Sequence, residues 1–189
     1  MIKKSCTKEK MQFTRFKDIQ VSLFIAVSLV IVFALYVTTA IKTIPCDKNL
    51  MSIFFSNFVH LEPSHLIANL FALYNLARVE KQLGPKKFGC LIIFLLIFTT
   101  VTEVCAHKLF SELKCSIGLS GILFGIMSWE LTTKRGLDLM IILSIVGIVV
   151  TPTVQNSKGS SLLGHAVGAI AGIVGGIIWK MFGNKLCSD

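Results

Sequence analysis

The sequence predicts an all-α membrane protein, a bundle of six transmembrane helices, on three observations. Of its 189 residues 53% are hydrophobic and only 15% are charged, whereas a soluble domain carries about 25% charged residues. The mean hydropathy is +0.75, which excludes an ordinary soluble globular domain. The apolar residues are also gathered into runs of bilayer-spanning length, about 20 residues for a helix. Six such runs with short loops use up the chain, so one compact membrane domain is expected, with no accessory soluble domain and no seventh helix.

The first segment, 1–18, is a basic head with Lys3, Lys4, Lys8, Lys10, Arg15 and Lys17. The run 21–41 follows without a charge. A secretory signal has a shorter apolar region of about 7–15 residues, and the cleavage-like tripeptide Thr38-Thr39-Ala40 is a poor one, so this run reads as an uncleaved first helix. Further spans are expected over 64–83, 88–106, 116–133, 137–151 and 160–182. The punctuation agrees: Gly84-Pro85 ends the second span, Gly136 separates the fourth from the fifth, and Thr151-Pro152 closes the fifth before a polar turn. The chain thus divides into a basic cytoplasmic segment (1–18), a six-helix membrane domain (19–183) and a short cytoplasmic tail (184–189). The second and fifth spans are the weakest. The second carries Asn69, Asn75, Arg78 and Glu80, and polar residues at depth either face a bundle interior or mark function.

The net charge of +9, from 19 Lys and Arg against 10 Asp and Glu, would in a soluble protein suggest nucleic acid. Here its placement is an orientation signal, because cytoplasmic loops collect basic residues. With the N-terminus inside, fourteen of the 19 lie on the cytoplasmic side and five, Lys42, Lys48, Lys108, Lys114 and Lys158, on the other. Both termini are therefore expected in the cytoplasm, the charge needs no nucleic acid, and the polybasic head can touch anionic lipid of the bilayer. The six cysteines form no CxxC pair; Cys46 and Cys115 fall in outer loops, where a disulfide is possible.

In this topology the second, fourth and sixth helices all run inward, so their N-terminal ends share one level near the outer face. Each of those ends is polar: His65-Leu66-Ile67-Ala68-Asn69, Gly118-Leu119-Ser120-Gly121 and Gly164-His165-Ala166-Val167-Gly168. Ser120, between the two glycines Gly118 and Gly121, is a candidate nucleophile, although a Gly/Ser cluster also serves helix packing. His165, at comparable depth, is a candidate general base that would take the serine proton and return it to the leaving amine; a hydrogen-bonded packing histidine is the alternative. Gly164, Gly168, Gly172 and Gly176 recur every four residues and form a stripe for close helix approach or for dimerisation. His65 and Asn69, four apart on one helix face, are candidate donors to the oxyanion of a tetrahedral intermediate. Phe124, one turn beyond Ser120, can pack on the His165 ring. No Asp or Glu is expected beside these residues, which leaves a serine-histidine dyad. His60, His65, His107 and His165 form no HExxH pattern, and no metal or other cofactor is expected.

Taken together, His65-x-x-x-Asn69, Gly118-Leu119-Ser120-Gly121 and His165-x-x-Gly168-x-x-x-Gly172, with Val79-Glu80-Lys81-Gln82-Leu83-Gly84 at the end of the second helix, resemble the rhomboid family of intramembrane serine proteases. The resemblance covers about 120 residues and implies a rhomboid-like six-helix core with its site below the outer membrane surface. It implies Ser120 as nucleophile, His165 as base, and His65, Asn69 and Gly118 around the oxyanion. Phe124 falls where the family often has a tyrosine stacked on the histidine, and His60 at another polar position of the first outer loop. The Trp-Arg pair common in that loop is missing, since the tryptophans are Trp129 and Trp179.

The resemblance implies a serine endopeptidase, a hydrolase of single-span transmembrane protein substrates. Two other readings stand beside it: a non-catalytic relative that binds or routes membrane clients, and a small transporter. Against the transporter, the charges line no continuous path and no paired broken helices appear.

Overall fold

The computed structural model describes residues 16–38, 49–110, 113, 115–135, 139, 143, 146 and 161–186. Among them regular structure is entirely helical. A short 3-10 turn, Phe16–Asp18, leads into α1 (Gln20–Val37), followed by α2 (Leu50–Ser56), α3 (Pro63–Leu83), α4 (Pro85–Leu109), α5 (Ser120–Arg135) and α6 (Leu162–Leu186). α1, α4 and the Leu162–Phe182 portion of α6 are long and apolar enough to cross a membrane. α3 has the length, with 21 residues, but its polar residues lower its hydropathy. The expected fifth span, 137–151, lies almost wholly outside the described residues, as do most of the basic head and the last three residues of the tail.

One helix and one helix start depart most from the sequence reading. α2 was not expected; Asn49 starts it by accepting a hydrogen bond from the Ser52 N–H at 2.9 Å, an ordinary side-chain N-cap. The fourth span was expected from 116, yet α5 begins only at Ser120. Gly118 sits at φ +103°, a left-handed conformation that suits glycine and is incompatible with a helix. Its N–H donates to Ser56 O at 2.9 Å, so the end of α2 holds the segment before α5 extended.

α3, α5 and α6 run in the same direction. Near their starts, His65 of α3 faces Gly118, and Gly121 of α5 faces Gly164; near their ends, Arg78 of α3 meets Glu130 of α5 at 2.8 Å, and Gly176 of α6 faces Thr132. α4 runs the other way. Its buried face is apolar in its first half, with Phe88, Leu91 and Leu95, and polar in its second, with Thr99, Thr100, Glu103 and His107. The apolar half joins Leu29, Leu73, Leu76, Val79, Ile122, Ile126 and Trp129 in one core.

α5 and α6 make the most extensive contact in the fold, and it is made of backbone. A Cβ on Gly168 would overlap the Gly121 carbonyl, and one on Gly172 would overlap the Gly125 carbonyl. The four-residue stripe thus packs against α5. Glycine costs a helix about 1 kcal/mol relative to alanine; here the loss is offset by dispersion contacts between two main chains that no other residue permits.

α1 is attached differently. Its N-cap residue, Ile19, has no capping side chain, so the first N–H groups of the helix need another acceptor. Glu80 of α3 supplies it, taking the Val21 and Ser22 N–H groups at 2.8 Å each and the Ser22 hydroxyl at 2.6 Å. A fully buried carboxylate against the positive end of a helix dipole satisfies both partners. Glu80→Ala should strip three donors of their acceptor and cost about 2 kcal/mol or more. A thermal midpoint in detergent unchanged from wild type would contradict this account of α1 docking.

Candidate active site

Ser120 is the first residue of α5, where the N–H groups have no intrahelical acceptor. Its Oγ lies 3.0 Å from His165 Nε2. His165, in the first turn of α6, is buried at 2% exposure, and its ring stacks on Phe124 with centroids 4.5 Å apart and a tilt of 51°. The glycine contacts explain how residues 45 positions apart meet: the two helices are so close that side chains flanking the contact reach across it. Phe124 fills the space beside the imidazole and limits its rotamers.

The second side of the site comes from α3 and the segment before it. His65 and Asn69 are both buried. Asn69 Nδ2 donates one hydrogen to His65 O at 2.8 Å; its Oδ1 and the His65 Nδ1 are buried and, among the described residues, have no hydrogen-bond partner. The His65 ring packs edge-on against His60 at 5.0 Å. Both rings converge on Gly118, where a Cβ would stand 2.8 Å from His65 Cε1 and 3.3 Å from His60 Nε2. Gly118 therefore contributes a missing side chain and a backbone turn. It contributes no donor, because Ser56 has already taken its N–H. Among the candidate residues, Ser120, His165 and Phe124 form one cluster, and His65, Asn69 and Gly118 form another, beside the two-residue link from Gly118 to Ser120.

One expectation is corrected. No carboxylate was expected beside these residues, yet Glu103 of α4 is buried next to the first turn of α6. A Cβ on Gly164 would lie 2.8 Å from Ser116 Oγ and 3.3 Å from Glu103 Oε1. The signal was available: Glu103 comes late in a helix antiparallel to α5 and α6, and that lateness is what brings it level with their starts. Cys115, adjoining Ser116, is disulfide-bonded; Cys46, the partner considered from the sequence, lies outside the described residues. Among the described residues no group of three metal-ligating side chains occurs.

His60 lies between α2 and α3 and is fully buried. Burial first, then the neighbouring His65, push its pKa down from 6.5 to about 4, against a smaller opposing effect of the Phe58 backbone. His60 is thus neutral in the folded protein at neutral pH. The unfolded chain takes up this proton near pH 6.5 and the folded one only near 4, so folding stability should fall as pH drops through that window. Replacing His60 by Gln, which carries no titrating proton, should flatten this part of the stability-against-pH curve. An unchanged slope between pH 6.5 and 4 would show that His60 titrates normally.

A family model of the rhomboid domain matches residues 47–182, from the segment before α2 into α6. A protein named as a rhomboid protein in Acanthamoeba polyphaga mimivirus is 32% identical over 133 residues, covering 68% of this chain and 74% of that protein. With most of the chain inside the matched domain and the helices arranged as described, the protein belongs to the rhomboid family.

Proposed function

We propose that the protein is an intramembrane serine endopeptidase that cleaves single-span transmembrane proteins within or next to the bilayer by a Ser120 and His165 dyad. The observation that carries this reading is the 3.0 Å separation of Ser120 Oγ and His165 Nε2, a geometry suited to proton transfer during attack. In this reading six spans form the membrane domain (19–183), with the basic head (1–18) and the tail (184–189) in the cytoplasm and the site opening towards the opposite face.

The chemistry follows from the groups in reach. As Ser120 Oγ attacks the scissile carbonyl carbon, its proton passes to His165 Nε2, and the carbonyl oxygen becomes the oxyanion. The second amide N–H of Asn69, the His65 ring and the N–H groups opening α5 are the donors on that side. Collapse of the intermediate breaks the C–N bond, and the amine leaves with the proton held by His165. Water then attacks the acyl-enzyme carbon, giving its proton to His165, and Ser120 recovers a proton as the carboxylic acid departs. No carboxylate is required in this scheme, since Phe124 packs on the imidazole that a third residue would otherwise orient. A client helix must unwind locally, because a regular helix shields its own carbonyls.

The test is reconstitution with a panel of single-span clients. Ser120→Ala and His165→Ala should each abolish cleavage, and a fluorophosphonate should label wild type at Ser120 but not the serine variant. Equal cleavage by wild type and Ser120→Ala would end the protease reading in favour of a client-binding protein. Asn69→Ala should lower kcat by about a hundredfold with a smaller change in KM. Phe124→Tyr should retain most activity, and Phe124→Ala should lose more. A loss confined to KM in Asn69→Ala would place that residue in substrate binding instead.

A further inference from the structure

We propose that Glu103, a carboxylate the proton transfer does not touch, acts on His165 through charge, offsetting the positive end of α6 so that the imidazolium formed during attack is favoured. The inference rests on the protease reading above and adds a positioning residue to it.

His165 stands where a base is at a disadvantage. It lies in the first turn of α6, whose unsatisfied N–H groups carry about half a positive charge, and it is buried. Both conditions disfavour the positive ring that forms when the Ser120 proton reaches Nε2. Nothing on α6 answers that field: its first turn holds no acidic side chain, and the neutral Ser161 hydroxyl is 3.5 Å from the Gly164 N–H, a long cap. The negative charge comes from another helix. Glu103 of α4 is buried, and its Oε1 would lie 3.3 Å from a Cβ on Gly164, the residue before His165. Among the described residues no lysine or arginine pairs with Glu103. A buried carboxylate without a counter-charge is costly, and the start of α6 is the positive partner beside it. The absence of a side chain on Gly164 is what lets the two come together.

The other ionisable groups at this end of the bundle, among the described residues, are His107 and Lys108 of α4, Tyr36 of α1, Glu62, and His60 and His65 next to Gly118. α2 has none, Cys115 is disulfide-bonded, and the charged residues of α5 and α6 fall at their other ends. Glu103 is thus the carboxylate buried against the turn that carries the base. The carboxylate and the imidazole belong to neighbouring points of one helical turn, on the order of 8 Å apart. At that separation a unit charge in a partly buried site moves a proton affinity by about one to two pH units. The direction is fixed by sign: a negative Glu103 raises the basicity of His165.

The experiment reads His165 twice. In Ser120→Ala protein with isotope-labelled histidine, the ring signals titrate with no turnover needed, and His165 is assigned by the signal that His165→Gln lacks. Glu103→Gln, which keeps the shape and loses the charge, should lower the His165 midpoint by about one pH unit; Glu103→Asp should hold most of it, and Ser116→Ala should leave it in place. In protein with Ser120 intact, the acidic limb of kcat/KM belongs to the interacting pair. It should move to lower pH in Glu103→Gln by the same amount, while kcat on the plateau falls about three- to tenfold and KM stays nearly unchanged. His107→Gln should leave this response to Glu103→Gln intact. Both midpoints are properties of folded molecules, so a lower folded fraction does not alter them. An unmoved His165 midpoint or an unmoved limb in Glu103→Gln would overturn the proposal. So would an equal loss of kcat in Glu103→Gln, Glu103→Asp and Ser116→Ala with the limb fixed, the mark of a purely structural role. A His165 midpoint that shifts with Glu103→Gln in a protein that cleaves nothing would remove the protease reading and leave the charge coupling standing.

Discussion

The backbone contact between α5 and α6 is the constraint on which the candidate site depends. Gly121 and Gly125 face Gly168 and Gly172 with no room for a side chain between the two main chains. At that separation the residues flanking the stripe are forced into one another's company: Ser120 beside Gly121, and His165 beside Gly164. A hydrogen bond between a serine and a histidine is worth only about 0.5–1.5 kcal/mol and could not hold two helices together. The helices are held by many small dispersion contacts along the stripe, and the hydrogen bond is their by-product. The apolar core beneath, with Leu95 of α4 against Gly125, keeps the pair from sliding.

The other side of the site rests on different physics. Gly118, Ser56, His60 and His65 are joined by one backbone hydrogen bond and by imidazoles packed against a backbone that lacks a Cβ. These contacts are polar and confined to one end of the bundle. At the other end α3 is tied by Arg78 to Glu130, which also accepts from Lys134 at 2.6 Å, and by Glu80 to α1. Each tie places a carboxylate against donors that would otherwise be unsatisfied in an apolar medium. α3 is thus tied by polar contacts at its ends and by the apolar packing of Leu66, Leu73 and Leu76 between them, whereas α5 and α6 are in backbone contact along their length.

Much of this was legible from residues alone, and the reasons differ by element. The glycine period of four names a face directly, because close approach between helices uses it, and the inward direction expected of three helices places Ser120, His165, His65 and Asn69 at one end without any knowledge of packing. The start of α5 was not legible: an apolar run says how much chain can cross a membrane, but not that Gly118 adopts a positive φ to pair with Ser56. α2 was missed because seven residues are too few for a periodic signal. Glu103 was misjudged by its position along its helix instead of its level in the bundle. The fifth span and the pairing of Cys46 remain expectations of the sequence, as does the placement of the termini inside the cell.

On the proposed protease function, this unequal anchoring bears on how a client helix is admitted without disturbing the contact between Ser120 and His165. Any client must displace something to reach Ser120, and the energy of displacement decides what gives way. Separating α5 from α6 would open two close-packed backbones and break the dyad itself. Bowing the middle of α3 would leave the polar ties near its ends in place, Gly118 to Ser56 at one and Arg78 and Glu80 with their partners at the other, and would strain only side-chain packing at Leu73 and Leu76. The exposed Phe71 and Asn75 lie in that middle stretch. α3, held by side-chain packing, is therefore the helix that yields more easily, and the backbone-packed α5 and α6 are the rigid pair. In the protease reading, a client that displaces α3 would leave the 3.0 Å contact between Ser120 and His165 untouched.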